Sequence, residues 1–472
     1  MVKNRILISE YVSKTIRDKF PFEPTSQQSE LMDRLSEFLT CPQDHCLFIL
    51  KGYAGTGKTS VVGALVKAMR QMRKNVILAA PTGRAAKVMS AKSGRKAHTI
   101  HKLIYRRKSS DVSSPFVLDY NKYRDTLFVV DEVSMLPAGG SDSTFGSGDL
   151  MDDLLRFVFS ADNCKLLFLG DTAQLPPVRF EESPALSPGF MRSYGLQVSD
   201  YCLTQVVRQR GGSGILANAT MLRECLDEGN APLFKPAEDV ELLTGATLVE
   251  EIEHSYSEVG ENETIIISRS NKRAGLFASG VRGMILQRED VLARNDLLMV
   301  VRNNYNAGVE YGLDFIANGD IAQVSRLGGS ITHLGFTFRK VSLYFPDYDT
   351  EIDTLVLQDA LSCETPSALQ DLNNNLYRAI ESEDYAMVKS KRERYKKMKE
   401  DVFLNALQVK SAYAVTCHKA QGGQWKHVYV DMAALRNAEI DNSLLRYLYT
   451  ACTRATEKLF LINTPAELVG SG

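Results

Sequence analysis

Eight consecutive residues, Gly52-Tyr53-Ala54-Gly55-Thr56-Gly57-Lys58-Thr59, have the spacing GxxxxGKT. Glycines so spaced let backbone N–H groups turn inward around phosphate oxygens, and the lysine neutralises the β- and γ-phosphates of a nucleotide. The last hydroxyl is placed for Mg²⁺. The expected nucleotide-contacting set is Gly52, Ala54, Gly55, Thr56, Gly57, Lys58 and Thr59. A Mg²⁺–phosphate site also needs a carboxylate at a strand end. Asp131-Glu132 follows the apolar run 127–130. Asp131 is expected to hold Mg²⁺ with Thr59, and Glu132 to activate the attacking water as general base. Gly170-Asp171-Thr172-Ala173-Gln174 closes another apolar run, so Gln174 can reach the γ-phosphate. The chemistry these residues imply is hydrolysis of ATP with Mg²⁺.

Elements must hold these groups in place. The apolar run 46–50 before the loop reads as a buried strand, and 61–72 as a helix. Residues 75–80, 127–130 and 165–169 read as further buried strands. Such alternation predicts an α/β fold with a mostly parallel sheet and helices on both faces. Residues 1–24 read as a helical extension ended by Pro21 and Pro24, and Leu31, Leu35, Phe38 and Leu39 have helical spacing. Runs at 264–268, 297–302, 321–324, 410–416, 427–431 and 458–462 predict a second sheet. Residues 332–357 alternate as β structure, whereas 366–404 are polar and helical, with a basic run at 389–399 that reads as a solvated helix face. Residues 138–149, rich in Gly and Ser, read as a loop. The expected boundaries are 25–200 for a first domain, 201–329 with 408–472 for a second, and 330–407 for an insertion in it.

Whole-chain properties narrow the class. With 472 residues, 44% hydrophobic and 24% charged, the composition is that of an ordinary globular protein of several subdomains. No run of 18 apolar residues appears and the first 20 residues lack a signal-peptide core, so the expectation is a cytoplasmic protein. The eight cysteines, at 41, 46, 164, 202, 225, 363, 417 and 452, form no CxxC pair and read as free thiols. The net charge of −1 hides an asymmetry. Residues 51–110 hold 15 Lys or Arg and no Asp or Glu, which leaves 41 basic against 57 acidic residues elsewhere. A segment of that kind suits a polyanion surface.

The motif order resembles superfamily 1 helicases of the RecD-like, Dda-like branch. Ala80-Pro81-Thr82-Gly83-Arg84-Ala85-Ala86 and His98-Thr99-Ile100-His101 resemble its early DNA-contacting motifs. Asp131 to Met135 and Gly170 to Val178 resemble the magnesium and coupling motifs. Residues 203–209 resemble the motif that carries an arginine, here Arg208, and Asn318-Gly319-Asp320 resembles a turn of the second motor domain. Thr416 to Gly422 and Tyr449 to Ala455 resemble the late DNA motif and the final motif with its arginine, Arg454. The resemblance implies two RecA-like parallel-sheet motor domains, with a small hairpin insertion in the first and a β-rich plus helical insertion in the second. It implies that Gln28 reads adenine, that Arg208 and Arg454 reach the γ-phosphate, and that Pro81, Thr82, Arg84, Thr99, His101, Thr416 and His418 meet DNA. Residues 103–123 would be the strand-separating hairpin. The implied activity is an ATP-dependent DNA helicase moving 5′ to 3′, acting as a monomer on single-stranded DNA and single/double-strand junctions, with repair or replication proteins as partners. A DNA-stimulated translocase, an RNA helicase and a nucleotide-gated subunit of a repair complex stay open as alternatives.

Overall fold

A computed structural model describes residues 2–108, 116–140, 145–207, 212–313, 315–436 and 439–470. The first body carries β1 (Cys46–Gly52), β2 (Asn75–Ala80), β3 (Ala97–Thr99), β4 (Tyr105–Arg107), β5 (Phe116–Leu118), β6 (Thr126–Val130), β7 (Lys165–Gly170) and β8 (Gln197–Leu203). Six of them form a parallel sheet in the order β3-β2-β6-β7-β1-β8. β6 and β7 are buried along their whole length, as parallel strands covered on both faces must be. Side chains alternate between two cores: Phe48, Leu50, Val129 and Leu167 face one, and Leu47, Ile49, Phe128 and Leu166 the other. The N-terminal helix Val2–Lys19 is part of the first core through Val12 and Ile16, with Phe20 just after it. Ser13 ties it down by donating to Asp33 Oδ1 at 2.6 Å.

Ten further strands follow: β9 (Val240–Leu243), β10 (Thr264–Ser268), β11 (Leu297–Val300), β12 (Ile321–His333), β13 (Phe336–Phe345), β14 (Thr350–Leu357), β15 (Val409–Ser411), β16 (Ala414–Thr416), β17 (Trp425–Asp431) and β18 (Ala455–Ile462). A second parallel sheet runs β16-β10-β17-β18-β9. A third, antiparallel, runs β14-β13-β12-β11-β15.

The third sheet is larger than the expected insertion. The runs at 297–302 and 321–324, assigned from sequence to the second sheet, pair with each other and with β13 and β15 instead. The single strand expected at 410–416 is two strands in two sheets, and the chain crosses between them at Ala412 and Tyr413. Tyr413 marks the crossing: its hydroxyl accepts the Leu297 N–H at 3.1 Å and donates to Asp296 Oδ1 at 3.2 Å. The boundary expected at residue 200 falls inside β8, which pairs with β1 from Cys46↔Gln197 to Gly52↔Leu203. β8 escaped the sequence reading because only its last residue is buried.

The base of the 103–123 hairpin is β4 paired antiparallel with β5, from Tyr105↔Leu118 to Arg107↔Phe116. Residues 109–115, between the two strands, lie outside the described residues. Tyr105 anchors the base by donating to Asp153 Oδ2 at 2.7 Å. Aromatic rings then link three segments. Phe116 lies 4.9 Å from Phe145 and 5.5 Å from Tyr305, and Phe145 lies 5.6 Å from Phe315. Tyr305 and Phe315 come from the stretch between β11 and β12, so the third sheet's connections brace the hairpin.

Candidate nucleotide cleft and nucleic-acid face

β1 ends at Gly52, and the helix Lys58–Gln71 begins six residues after it. Its N-cap, Gly57, is left-handed at φ 82° and offers no side-chain cap, so the first helical N–H groups face into the loop. A Cβ on Gly57 would come 2.4 Å from Gln28 Nε2. Lys58 Nζ folds back onto the loop, donating to the carbonyls of Gly52 and Tyr53. Gln28, expected to face adenine, is buried beneath the loop. Its Nε2 donates to the Thr56 carbonyl at 3.0 Å and its Oε1 accepts the Thr25 N–H at 3.1 Å. The structure thus makes Gln28 a brace between the loop and the capping box of the helix Ser26–Thr40.

The acidic pair sits at the end of β6. Glu132 is left-handed at φ 54°, a conformation costly outside glycine, and its N–H donates to Asp131 Oδ1 at 2.8 Å. Burial first, then the Glu132 carboxylate, push the Asp131 carboxyl up to about 6. Two adjacent, partly desolvated carboxylates are an arrangement a divalent cation relieves. Thr59, in the first turn of the helix after the loop, supplies a hydroxyl, so the donor set fits Mg²⁺. With its amide oriented to satisfy both neighbours, Gln174 donates to Glu132 Oε2 at 3.2 Å and accepts from Arg454 Nη2 at 3.1 Å. Arg454 Nη1 lies 3.6 Å from Glu132 Oε1, and the arginine is 4% exposed. Glu132, Gln174 and Arg454 therefore meet across the gap between the first and second sheets. Arg208 lies outside the described residues.

The segment after β7 belongs to both bodies at once. Asp171 and Gln174 face the cleft, whereas Ala173 and Leu175 are buried in the core of the second body. Four groups of that body hold the segment. Tyr449 Oη donates to Asp171 Oδ2 at 2.7 Å and accepts the Ala54 N–H of the phosphate loop at 2.8 Å. The Leu175 N–H donates to Thr450 Oγ1 at 2.9 Å, and Gln421 Nε2 donates to the Leu175 carbonyl at 2.8 Å. Arg446 donates to the Thr172 carbonyl. Tyr449, Thr450 and Gln421 lie in motifs noted from sequence, but their partners are remote in the chain and no pattern named them. Arg446 lies outside those motifs. Tyr449→Phe is expected to leave a buried carboxylate oxygen and the Ala54 N–H unsatisfied. That costs about 1–3 kcal/mol, read as a lower urea midpoint with an unchanged slope; an unchanged midpoint refutes the latch.

The remaining expected residues line the carboxyl ends of strands at or next to a sheet edge. Pro81 and Thr82 follow β2, Thr99 ends β3 and Thr416 ends β16. The nucleotide cleft lies at the carboxyl ends of β1, β6 and β7, so it opens at the same end of the first sheet as Pro81, Thr82 and Thr99. Thr82 and Thr99 cap helices, accepting the Ala85 N–H at 3.2 Å and the Lys102 N–H at 3.3 Å. His418 is solvent-facing. Two residues are placed otherwise than expected. Arg84 stacks on Trp425 at 3.8 Å and donates to the Gln424 carbonyl at 3.0 Å, so it joins the two bodies. His101 packs among rings, 4.9 Å from Phe145 and 6.1 Å from Phe315. The turn after β13 also reaches this face: Lys87 donates to the Pro346 carbonyl at 3.2 Å, and Tyr348 donates to Asp320 Oδ2 at 2.7 Å beside Gly83. Burial pushes the Asp320 carboxyl up to about 6.

Two parallel sheets that share a phosphate loop, an acidic strand end and an arginine from the facing body define a two-domain nucleotide-cleft protein of the RecA-like kind. An AAA domain model matches residues 25–231, and a UvrD-like helicase C-terminal domain model matches 411–462. The chain is 27% identical to the ATP-dependent RecD2 DNA helicase of Deinococcus radiodurans over 92% of its own length and 48% of that protein. It is 26% identical to the ATP-dependent DNA helicase dda of Enterobacteria phage T4 over 51% of its length and 53% of that protein. It thus spans about half of each of these two relatives. A crystal structure of Pif1 helicase from Bacteroides aligns with 96% of this chain and 95% of its own at 15% identity and TM-score 0.47. The chain belongs to the superfamily 1 helicases of the RecD-like, Dda-like type. Among the described residues, no helix is long and apolar enough to cross a membrane.

Proposed function

We propose that this protein is an ATP-dependent DNA helicase that moves 5′ to 3′ on single-stranded DNA and separates duplex at a junction. The observation that carries the reading is the Glu132–Gln174–Arg454 cluster, joined to a segment rooted in both bodies. A site of this kind is completed only when two domains meet, so hydrolysis is coupled to closure and opening of the cleft. Lys58 binds the phosphates, while Thr59 and Asp131 would hold Mg²⁺, which supplies charge neutralisation when bound. Glu132 takes the proton of the attacking water, and Arg454 stabilises charge on the transferring phosphoryl group. Thr82, Thr99, Thr416 and His418 would follow the DNA backbone, which gives sequence-tolerant, salt-sensitive binding. The two relatives named as ATP-dependent DNA helicases support DNA as the track and ATP as the fuel. Repair or replication proteins in the cytoplasm are the setting such an activity would serve.

The test is a strand-displacement assay on 5′-tailed and 3′-tailed duplexes, beside ATPase rates with single-stranded DNA and with RNA. Unwinding of the 5′-tailed substrate and stimulation by DNA are expected. Unwinding from the 3′ tail alone overturns the direction. Translocation without strand separation leaves a DNA-stimulated translocase, and stimulation by RNA over DNA changes the substrate.

A further inference from the structure

The helix Lys391–Glu400 is hard to explain as a structural element. Residues 389–399 carry seven Lys or Arg and one acid, Glu393. Met398 is the helix's one buried residue. A helix polar on all sides gains little from packing, and like charges four apart, such as Arg392 and Lys396, repel. Lys397 pairs with Glu393 at 3.1 Å, and Arg394 lies 3.5 Å from Glu381. Lys389, Lys391 and Arg392 are exposed to solvent at the other end. These three charges are displayed to solvent.

Its place in the fold gives that display a direction. The Lys399 carbonyl at the helix's C-terminal end accepts from Asn306 Nδ2 at 2.9 Å and from Asn405 Nδ2 at 2.7 Å. Asn306 adjoins Tyr305, whose ring lies 5.5 Å from Phe116 on β5 and whose carbonyl accepts from Arg107 on β4. Arg107 in turn lies 5.0 Å over the Phe116 ring. The basic helix is thus pinned at one end to the residues that brace the hairpin base. Lys391 lies about 12 Å from Lys399 along the helix axis, less than half a turn of B-form DNA.

We propose that this helix is a second nucleic-acid surface, which grips the backbone of the duplex as it meets the hairpin. The occupant follows from charge complementarity and position. A dense array of cations with one acid among them suits a polyanion, and beside a strand-separating hairpin the polyanion present is duplex DNA. The proposal rests on the helicase reading and on β4–β5 as that hairpin. The grip acts through phosphates, so it is indifferent to sequence and raises affinity for junctions over plain single strands.

The test compares binding of a 5′-tailed DNA duplex with binding of the same tail alone, across a range of salt. Wild type is expected to bind the tailed duplex more tightly. The combined change Lys389→Gln, Lys391→Gln and Arg392→Gln is expected to remove most of that preference. It should also lower the salt slope for the tailed duplex by about one per charge removed. ATPase stimulation by the tail alone stays at the wild-type level. The charge-preserving set Lys389→Arg, Lys391→Arg and Arg392→Lys keeps the preference, which separates loss of charge from loss of fold. A stimulated wild type whose Gln variant retains both preference and slope overturns the grip and leaves the helicase reading standing. A wild type that no DNA stimulates removes the helicase reading and the grip together.

Discussion

Lys58→Ala is expected to lower DNA-stimulated ATP hydrolysis by about 10²–10³ or more, the scale seen when one preorganised donor to a developing charge is removed. The fold should survive. Lys58 is half-buried, and its Nζ makes its bonds to two carbonyls of its own loop, Gly52 and Tyr53. The helix Lys58–Gln71 is held by the burial of Val61, Val62, Leu65 and Met69, which the change leaves in place. The far-ultraviolet circular dichroism spectrum and urea midpoint are therefore expected to match wild type. Retention of a substantial DNA-stimulated rate would refute the assignment of the phosphate loop.

Arg454→Ala is expected to reduce kcat by about 10³ or more, within the range reported for arginines that stabilise charge in phosphoryl transfer. ATP affinity should change far less, because the loop and the helix N-terminus that would bind phosphate belong to the other body. Arg454 is buried and also donates to the Thr450 and Gly423 carbonyls, so its removal leaves Glu132 without its cationic neighbour. Arg454→Lys separates the two contributions: it keeps a charge near Glu132 but loses the planar fork. A low rate in both variants with nucleotide binding intact marks a transition-state role. A parallel rise in KM with kcat preserved would instead mean that Arg454 only binds ground-state nucleotide. Combining Arg454→Ala with Gln174→Ala is expected to cost little more than either alone, since the two side chains act as one contact.

The nucleotide cleft was legible because its groups are short-range patterns. GxxxxGKT, Asp131-Glu132 and Gln174 each follow an apolar run, and the physics that makes those runs buried strands also brings their ends to one face. What the pattern could not supply was pairing. The runs at 297–302 and 321–324 look like any short apolar strands, and only their antiparallel partners, β13 and β15, decide which sheet they join. Side-chain direction was equally hidden. Gln28 and Arg84 stand in motifs whose family roles point outward, yet a capping box holds one and the Trp425 ring holds the other. Phe145 shows the limit of composition. It lies in a Gly- and Ser-rich stretch read as a plain loop, but it is 3% exposed and packs against Phe116 and Phe315. A single large apolar residue among small polar ones was the available signal.

The double rooting of the segment after β7 sets a length scale for any cycle of opening. Gly170 is fixed in the first sheet, and Leu175 is fixed in the second core. Five residues reach at most about 18 Å when fully extended. The segment is therefore a tether: near the nucleotide the two bodies can part only by the slack in those few residues, while the far rim of the cleft can swing through a wider arc. A label pair reporting a separation at the cleft beyond that reach would require Ala173 and Leu175 to be pulled out of the second core, and such a state would be partly unfolded and not merely open.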